Sequence, residues 1–133
     1  MRVLIVQDNR DLGTFWTRFL RRQGVDARLV GSEEDALDAL ERGGFDAQIL
    51  EPVMTGCSGL CEAEVAALRY PDMPVIAVTK SSFFADGSIF SLIPNARGFL
   101  RAPVDPADLV AYLDHIVPAG DLVARADLAA HGS

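Results

Sequence analysis

The sequence predicts one α/β domain built on a parallel sheet, and three features point there. Five short apolar runs occur at residues 3–6, 27–30, 47–50, 75–78 and 98–100. Their spacing is too wide for hairpin loops and leaves room for a helix and two turns, as successive strand-helix-strand crossovers require. The first, third and fourth runs are almost wholly apolar, which is how strands covered on both faces read. The length of 133 residues, with 50% hydrophobic and 23% charged residues, suits a single domain with its own core. Two domains or a disordered chain would need a different length or composition.

The first run, Val3-Leu4-Ile5-Val6, opens the sheet. Leu12, Phe15, Trp16, Phe19 and Leu20 follow at three- and four-residue spacing, predicting a helix with this stripe in the core and Arg18, Arg21 and Arg22 outward. In the second run Arg28, and in the third Gln48, interrupt the apolar pattern and suggest positions near a sheet edge or strand end. Between them Ser32-Glu33-Glu34-Asp35 resembles a capping box, opens a helix that buries Leu37 and Leu40, and Gly43-Gly44 closes it. Residues 83–93 make a weaker helix, because Gly87, Ser88 and Ser91 each lower helix propensity. The adjacent Phe83 and Phe84, with Phe90 nearby, cannot all point inward from one short helix, so at least one is expected at the surface. After the fifth run, Asp105-Pro106 caps and starts a last helix with Leu109, Leu113 and Ile116 as its buried stripe. The expected organisation is a domain over residues 1–118 and a tail or cut linker over 119–133, where Leu122, Val123 and Leu128 keep only a loose pattern.

Twelve basic against nineteen acidic residues give a net charge of −7, which argues against binding nucleic acid or an anionic membrane surface through this chain. No apolar run reaches the ~18 residues of a membrane span, and strand-like sequence begins near Arg2 without a signal-type leader, so the expected location is cytoplasmic. Cys57 and Cys61 are too few for a disulfide framework or a four-ligand zinc site, and His115 and His131 are remote from them in sequence.

Ligands of an open parallel sheet meet the loops at the carboxyl ends of its strands. Those positions hold Gln7-Asp8-Asn9, Glu51, Thr79-Lys80 and Arg101-Ala102-Pro103. Acids and turn residues also gather at strand ends for plain structural reasons, so the convergence of four distant loops is the informative part. The third loop region, Gly56-Cys57-Ser58-Gly59, is read as turn geometry ahead of a helix in preference to a phosphate cradle.

Four stretches, Val3 to Asn9, Phe45 to Gly59, Pro74 to Thr79 and Gly98 to Pro103, stand in the order and spacing of a known pattern. On them the chain, from Val3 to about Ile116, resembles the receiver domains of two-component response regulators. The resemblance implies a flavodoxin-like (βα)5 three-layer sandwich whose five-stranded sheet has the order 2-1-3-4-5. It also implies phosphoryl transfer from a histidine kinase onto an aspartate after the third strand. In that chemistry magnesium is held by acids after the first strand, a lysine after the fifth pairs with the product, and a hydroxyl after the fourth reports it.

Several positions depart from that pattern. Glu51 occupies the phosphoacceptor position and is one methylene longer than aspartate, a misplacement costly to an attacking oxygen. The acidic pocket is reduced to Gln7 and Asp8, so magnesium, if held at all, falls to Asp8 and Glu51 and is held weakly. Ala102, before Pro103, stands where the lysine is expected. Thr79 and Phe99 match the switch residues.

The expected function is therefore an atypical receiver, not an enzyme, that acts by protein contact independently of phosphorylation and needs no cofactor. The alternative is a weak magnesium-dependent phosphoacceptor in a phosphorelay. A small-molecule enzyme on a flavodoxin-like frame is disfavoured, since the sequence offers no nucleophile paired with a base and no glycine-rich cofactor loop. The expected partners are a protein or second copy docked on the face of the fourth helix, fifth strand and last helix, or a histidine kinase. Two further expectations follow: a cis Ala102-Pro103 bond, and Lys80 reaching Glu51 as a substitute cation while Arg101 turns away.

Overall fold

The computed structural model describes residues 1–51, 53–54, 57–58, 66, 68–79, 96–101 and 103–117. In chain order these form β1 (Arg2–Val6), α1 (Arg10–Arg22), β2 (Asp26–Val30), α2 (Glu33–Arg42), β3 (Ala47–Leu50), β4 (Val53–Met54), β5 (Cys57–Ser58), β6 (Val75–Thr79), β7 (Ala96–Arg101) and α3 (Pro106–Ile116). The main sheet has the order β2-β1-β3-β6-β7 with every pairing parallel. Counting its own strands alone, this is the 2-1-3-4-5 order of a flavodoxin-like sheet.

Strand alternation divides the core in two. Val3, Ile5, Ala47, Ile49, Ile76 and Val78 face Trp16 and Leu20 of α1 and Leu109 and Leu113 of α3. Leu4, Val6, Leu50, Val75 and Ala77 face Ala36, Ala39 and Leu40 of α2. Three layers result, with β1, β3 and β6 buried on both faces and, Gln48 and the strand ends apart, lined there by apolar residues.

The helix ends are where the sequence places them. Ser32 accepts the Asp35 backbone N–H at 3.1 Å, and Gly43 closes α2 at φ 70°, a left-handed conformation that suits glycine. Asp105 accepts the Ala107 N–H at 2.9 Å with Pro106 in the first turn. At Gly98 an added Cβ would lie 2.5 Å from the Tyr112 ring, so the missing side chain is what lets α3 lie on β7.

Three expectations are corrected. Phe15 is 56% exposed and does not join the core stripe. The buried face of α1 is centred on Gly13, Trp16, Thr17 and Leu20, because small Gly13 permits an approach in which a Cβ would stand 2.6 Å from Leu29. The helix is thereby rolled toward its small residues, and Phe15 is carried outward among Arg10, Arg18 and Arg22. Gln48 marks no edge or strand end: it is wholly buried within β3, the middle strand of the sheet. The region around Gly56 holds a short antiparallel pair, Val53 opposite Ser58 and Met54 opposite Cys57, where only a turn was expected. Arg28, by contrast, is exposed on edge strand β2 as anticipated.

The fifth strand of the sheet also begins earlier than its apolar run. It starts at Ala96, and a register shift between Val75 and Ile76 accommodates the additional residue Arg97. The weak helix at residues 83–93, with Phe83, Phe84 and Phe90, and the tail from 119 lie outside the described residues. No helix among the described residues is long and apolar enough to cross a membrane.

Candidate functional site

Register alone gathers the site. Val6 of β1 pairs with Leu50 of β3, so Gln7 and Glu51 stand level, one rung beyond the last formal pair. The ladder extends through that rung: Glu51 N–H donates to the Val6 carbonyl at 2.9 Å and Gln7 N–H to the Val30 carbonyl at 3.1 Å. Thr79 ends β6, pairs with Arg101 of β7, and is the next strand's contribution to the same edge. Asp8 follows Gln7 on the loop into α1 and is half-buried.

These polar side chains are unusually covered. Gln7 is 3% exposed, Glu51 9% and Thr79 1%. A buried polar group is costly unless it is hydrogen-bonded or paired, and Asp8, Glu51 and Thr79 are each engaged by another group. Phe99 is half-buried against the α2-side core, whereas Arg101, two residues on along β7, is exposed and turned to solvent. Pro103 is exposed. Lys80 and Ala102 lie outside the described residues, and with them the Lys80–Glu51 contact and the Ala102-Pro103 bond.

Asn9 is a site residue that the sequence reading noted but gave no part to play. Its side-chain Oδ1 caps α1 by accepting the Leu12 N–H at 3.1 Å, and its own backbone N–H donates to Gln7 Oε1 at 3.0 Å. An asparagine just ahead of an amphipathic helix is the signal that would have found the cap. The bond to Gln7 has no sequence signature.

Magnesium is the group that a site of this shape would be asked to hold. Of the residues at the edge, Asp8 and Glu51 are the acids, and Gln7 directs its amide oxygen to the Asn9 backbone. Among the described residues no group of three or more Asp, Glu, His or Cys side chains is arranged to hold a metal ion. With the Gln7 oxygen turned to a backbone donor, the residues present do not fit a magnesium site built on an acidic pair.

The family model that matches the chain is the response regulator receiver domain, over residues 3–114. Among curated proteins, the sensory transduction protein RegX3 of Mycolicibacterium smegmatis is 30% identical over 118 residues, covering 89% of this chain and 51% of that protein. The DNA-binding response regulator MtrA of Mycolicibacterium paratuberculosis is 28% identical over 111 residues, covering 83% and 48%. The chain thus spans about half the length of the curated relatives it matches. Among solved structures, a CheY-like response regulator receiver domain protein from Methanospirillum hungatei superposes with a TM-score of 0.78 at 24% identity, covering 86% of this chain and 90% of that one. The response regulator TrrA of Thermotoga maritima, in complex with Mg(2+)-BeF, gives 0.75 at 22% identity, with 86% and 97% covered.

Proposed function

The chain belongs to the response regulator receiver domain family of two-component signalling, and from that premise we propose that it is a non-enzymatic receiver whose output does not depend on phosphorylation. Glu51 stands in the phosphoacceptor position as a permanent negative charge, and the domain works by protein contact. The observation that carries this reading is the placement of Glu51. It is almost fully buried directly after β3, level with Gln7 and beside the strand that ends in Thr79. A carboxylate held there without chemistry still presents the sensing threonine's strand with a fixed negative charge, one methylene farther from the main chain than an aspartate's.

Two details support loss of ordinary loading. Glutamate's additional methylene displaces the attacking oxygen, and in phosphoryl transfer most of the catalysis is positioning. The adjoining Gln7 is neutral where a second acid would offset the cation. Protein contact is assigned to the β7–α3 side, where Arg97, Ala111, Tyr112, His115 and Ile116 line an open groove of about 400 Å³. A cytoplasmic setting belongs to this proposal too. So does the view that this stretch does not itself grip nucleic acid; DNA binding is a property named for relatives about twice its length.

Intact-mass measurement with a small phosphodonor and magnesium tests the reading. The wild type should gain no stable phosphoryl group, while Glu51→Asp combined with Ala102→Lys should gain one. In the partner assay, Glu51→Ala should weaken binding and Glu51→Asp should not mimic the wild type until phosphorylated. A stable phosphoryl adduct on the wild type that Glu51→Gln abolishes would replace this proposal with the weak magnesium-dependent phosphoacceptor.

A further inference from the structure

Gln7 is buried at 3% exposure, and its Oε1 accepts the Asn9 backbone N–H at 3.0 Å. A backbone N–H can only donate, so the amide atom facing it is the oxygen, and the orientation of the amide is thereby fixed. Asn9 passes the constraint on. Its Oδ1 accepts the Leu12 N–H and its carbonyl accepts the Gly13 N–H at 2.9 Å, so the Gln7 side chain sets the entry of α1. On its other side Gln7 is tied through its own N–H to Val30 of β2. One residue thus joins the sheet edge, through its main chain, to the residue that caps α1, through its side chain.

We infer that Gln7 is the positioning residue that makes this edge independent of a divalent cation, its amide ordering the β1–α1 loop and offering the site a hydrogen-bond donor in place of a metal-binding oxygen. Oε1 has a backbone donor on one of its lone pairs, and the other end of the same amide is an –NH₂ group at an edge that also holds Asp8 and Glu51. An –NH₂ end cannot ligate a cation, and it is complementary to an acceptor such as a carboxylate. Glu51, level with Gln7 across the β1–β3 ladder, on the same face of the sheet and engaged by another group, is the carboxylate of this edge. The inference rests on the receiver reading of this site and goes further, because it assigns the neutral residue a task instead of treating it as a loss.

Gln7→Glu separates the two halves of the amide. It keeps the length and an oxygen for the Asn9 N–H, and it exchanges the donor end for an oxygen. The probe is Mn²⁺ alone, followed by electron paramagnetic resonance with Mg²⁺ as competitor, on the full chain. Gln7→Glu and Gln7→Asp should each bind Mn²⁺ roughly 10–100-fold more tightly than the wild type, the range by which partners of metal ligands alter affinity. In parallel, hydrogen exchange should show the Asn9 amide protected in the wild type to the same degree with and without Mg²⁺, and deprotected in Gln7→Leu. Equal Mn²⁺ affinity in wild type and both acidic variants would overturn the inference, as would Asn9 protection that appears only with Mg²⁺. No phosphodonor is present in any arm. A phosphorylated Glu51 would therefore defeat the proposed function without touching this result, and a metal-ordered loop would defeat this inference without touching that one.

Discussion

The two ends of the sheet use the same kinds of side chain in opposite ways. At the amino edge Arg2 is the centre: its Nε lies 3.2 Å from Asp26 Oδ2, its guanidinium stacks 4.8 Å above the Phe45 ring, and its backbone N–H donates to Asp46 at 2.7 Å. The ion pair is open to solvent, with the two side chains 46% and 68% exposed. At the carboxyl edge Gln7, Glu51 and Thr79 are nearly sealed off. Exposed pairs are cheap to form and worth little, whereas covering a polar group carries a desolvation cost that some other advantage must offset. Under the proposed function the carboxyl edge is the working one and the amino edge a structural clasp, and measured stabilities can break or sharpen that contrast.

The largest effect should come from neither edge. Ile49 is completely buried in the middle strand between them, and Ile49→Ala should cost about 2–5 kcal/mol through lost transfer energy and a residual cavity. A urea midpoint shift of that size, with hydrogen exchange accelerated at both edges alike, would show that they belong to one cooperative unit. Unequal acceleration would mean that the edges open separately and must be compared as local equilibria.

Next comes the carboxyl edge. Gln7→Leu removes the acceptor of the Asn9 N–H and should cost about 1 kcal/mol, moderated because Asn9 is itself exposed and water can reach it. Glu51→Met keeps an unbranched chain of similar length but removes the covered carboxylate. It should cost no more than about 1–2 kcal/mol, because relief of the carboxylate's desolvation offsets part of what is lost when the group that engages it is left without its acceptor. Thermal or urea unfolding of both variants gives the sign. Strong destabilisation by Glu51→Met would turn the acid into a structural element and weaken the functional assignment of this edge.

Much of this was legible in the sequence, for identifiable reasons. The runs at 3–6, 47–50 and 75–78 stood out because covering both faces demands nearly continuous apolar residues, while that at 27–30 showed its edge position through Arg28. The last strand was read three residues short because Ala96, Arg97 and Arg101 carry no such demand at the sheet's rim. Glu51, Gln7, Asp8 and Thr79 were found by taking the residues after each run, since parallel strands in register bring those positions together whatever their side chains do. The orientation of α1 was not legible. Five apolar residues set one stripe, but close approach through Gly13 decided the roll and left Phe15 outside. Nor was the Gln7–Asn9 bond, which depends on a side-chain conformation two residues from its partner and not on a spacing pattern.

The smallest effect is expected at the amino edge, and it is the most discriminating. Arg2→Ala removes the contact with Asp26, the stacking on Phe45 and a long bond at 3.4 Å to the Gly43 carbonyl. The backbone N–H that binds Asp46 is retained in the variant, because it belongs to the main chain. What is lost is an exposed ion pair worth about 0–1 kcal/mol and a partly hydrated cation–π contact of about 0.5–1 kcal/mol, less the side-chain entropy regained on truncation. The net cost should therefore stay below about 1 kcal/mol. Since the Debye length falls to ~3 Å at 1 M salt, most of the ionic share should disappear there while the cost of Gln7→Leu stays constant. A double-mutant cycle of Arg2→Ala with Asp26→Ala, repeated at low and high salt, isolates that share. A coupling that survives high salt, or a cost exceeding that of Ile49→Ala, would make the amino edge a specific anchor and remove the asymmetry on which the assignment of the carboxyl edge depends.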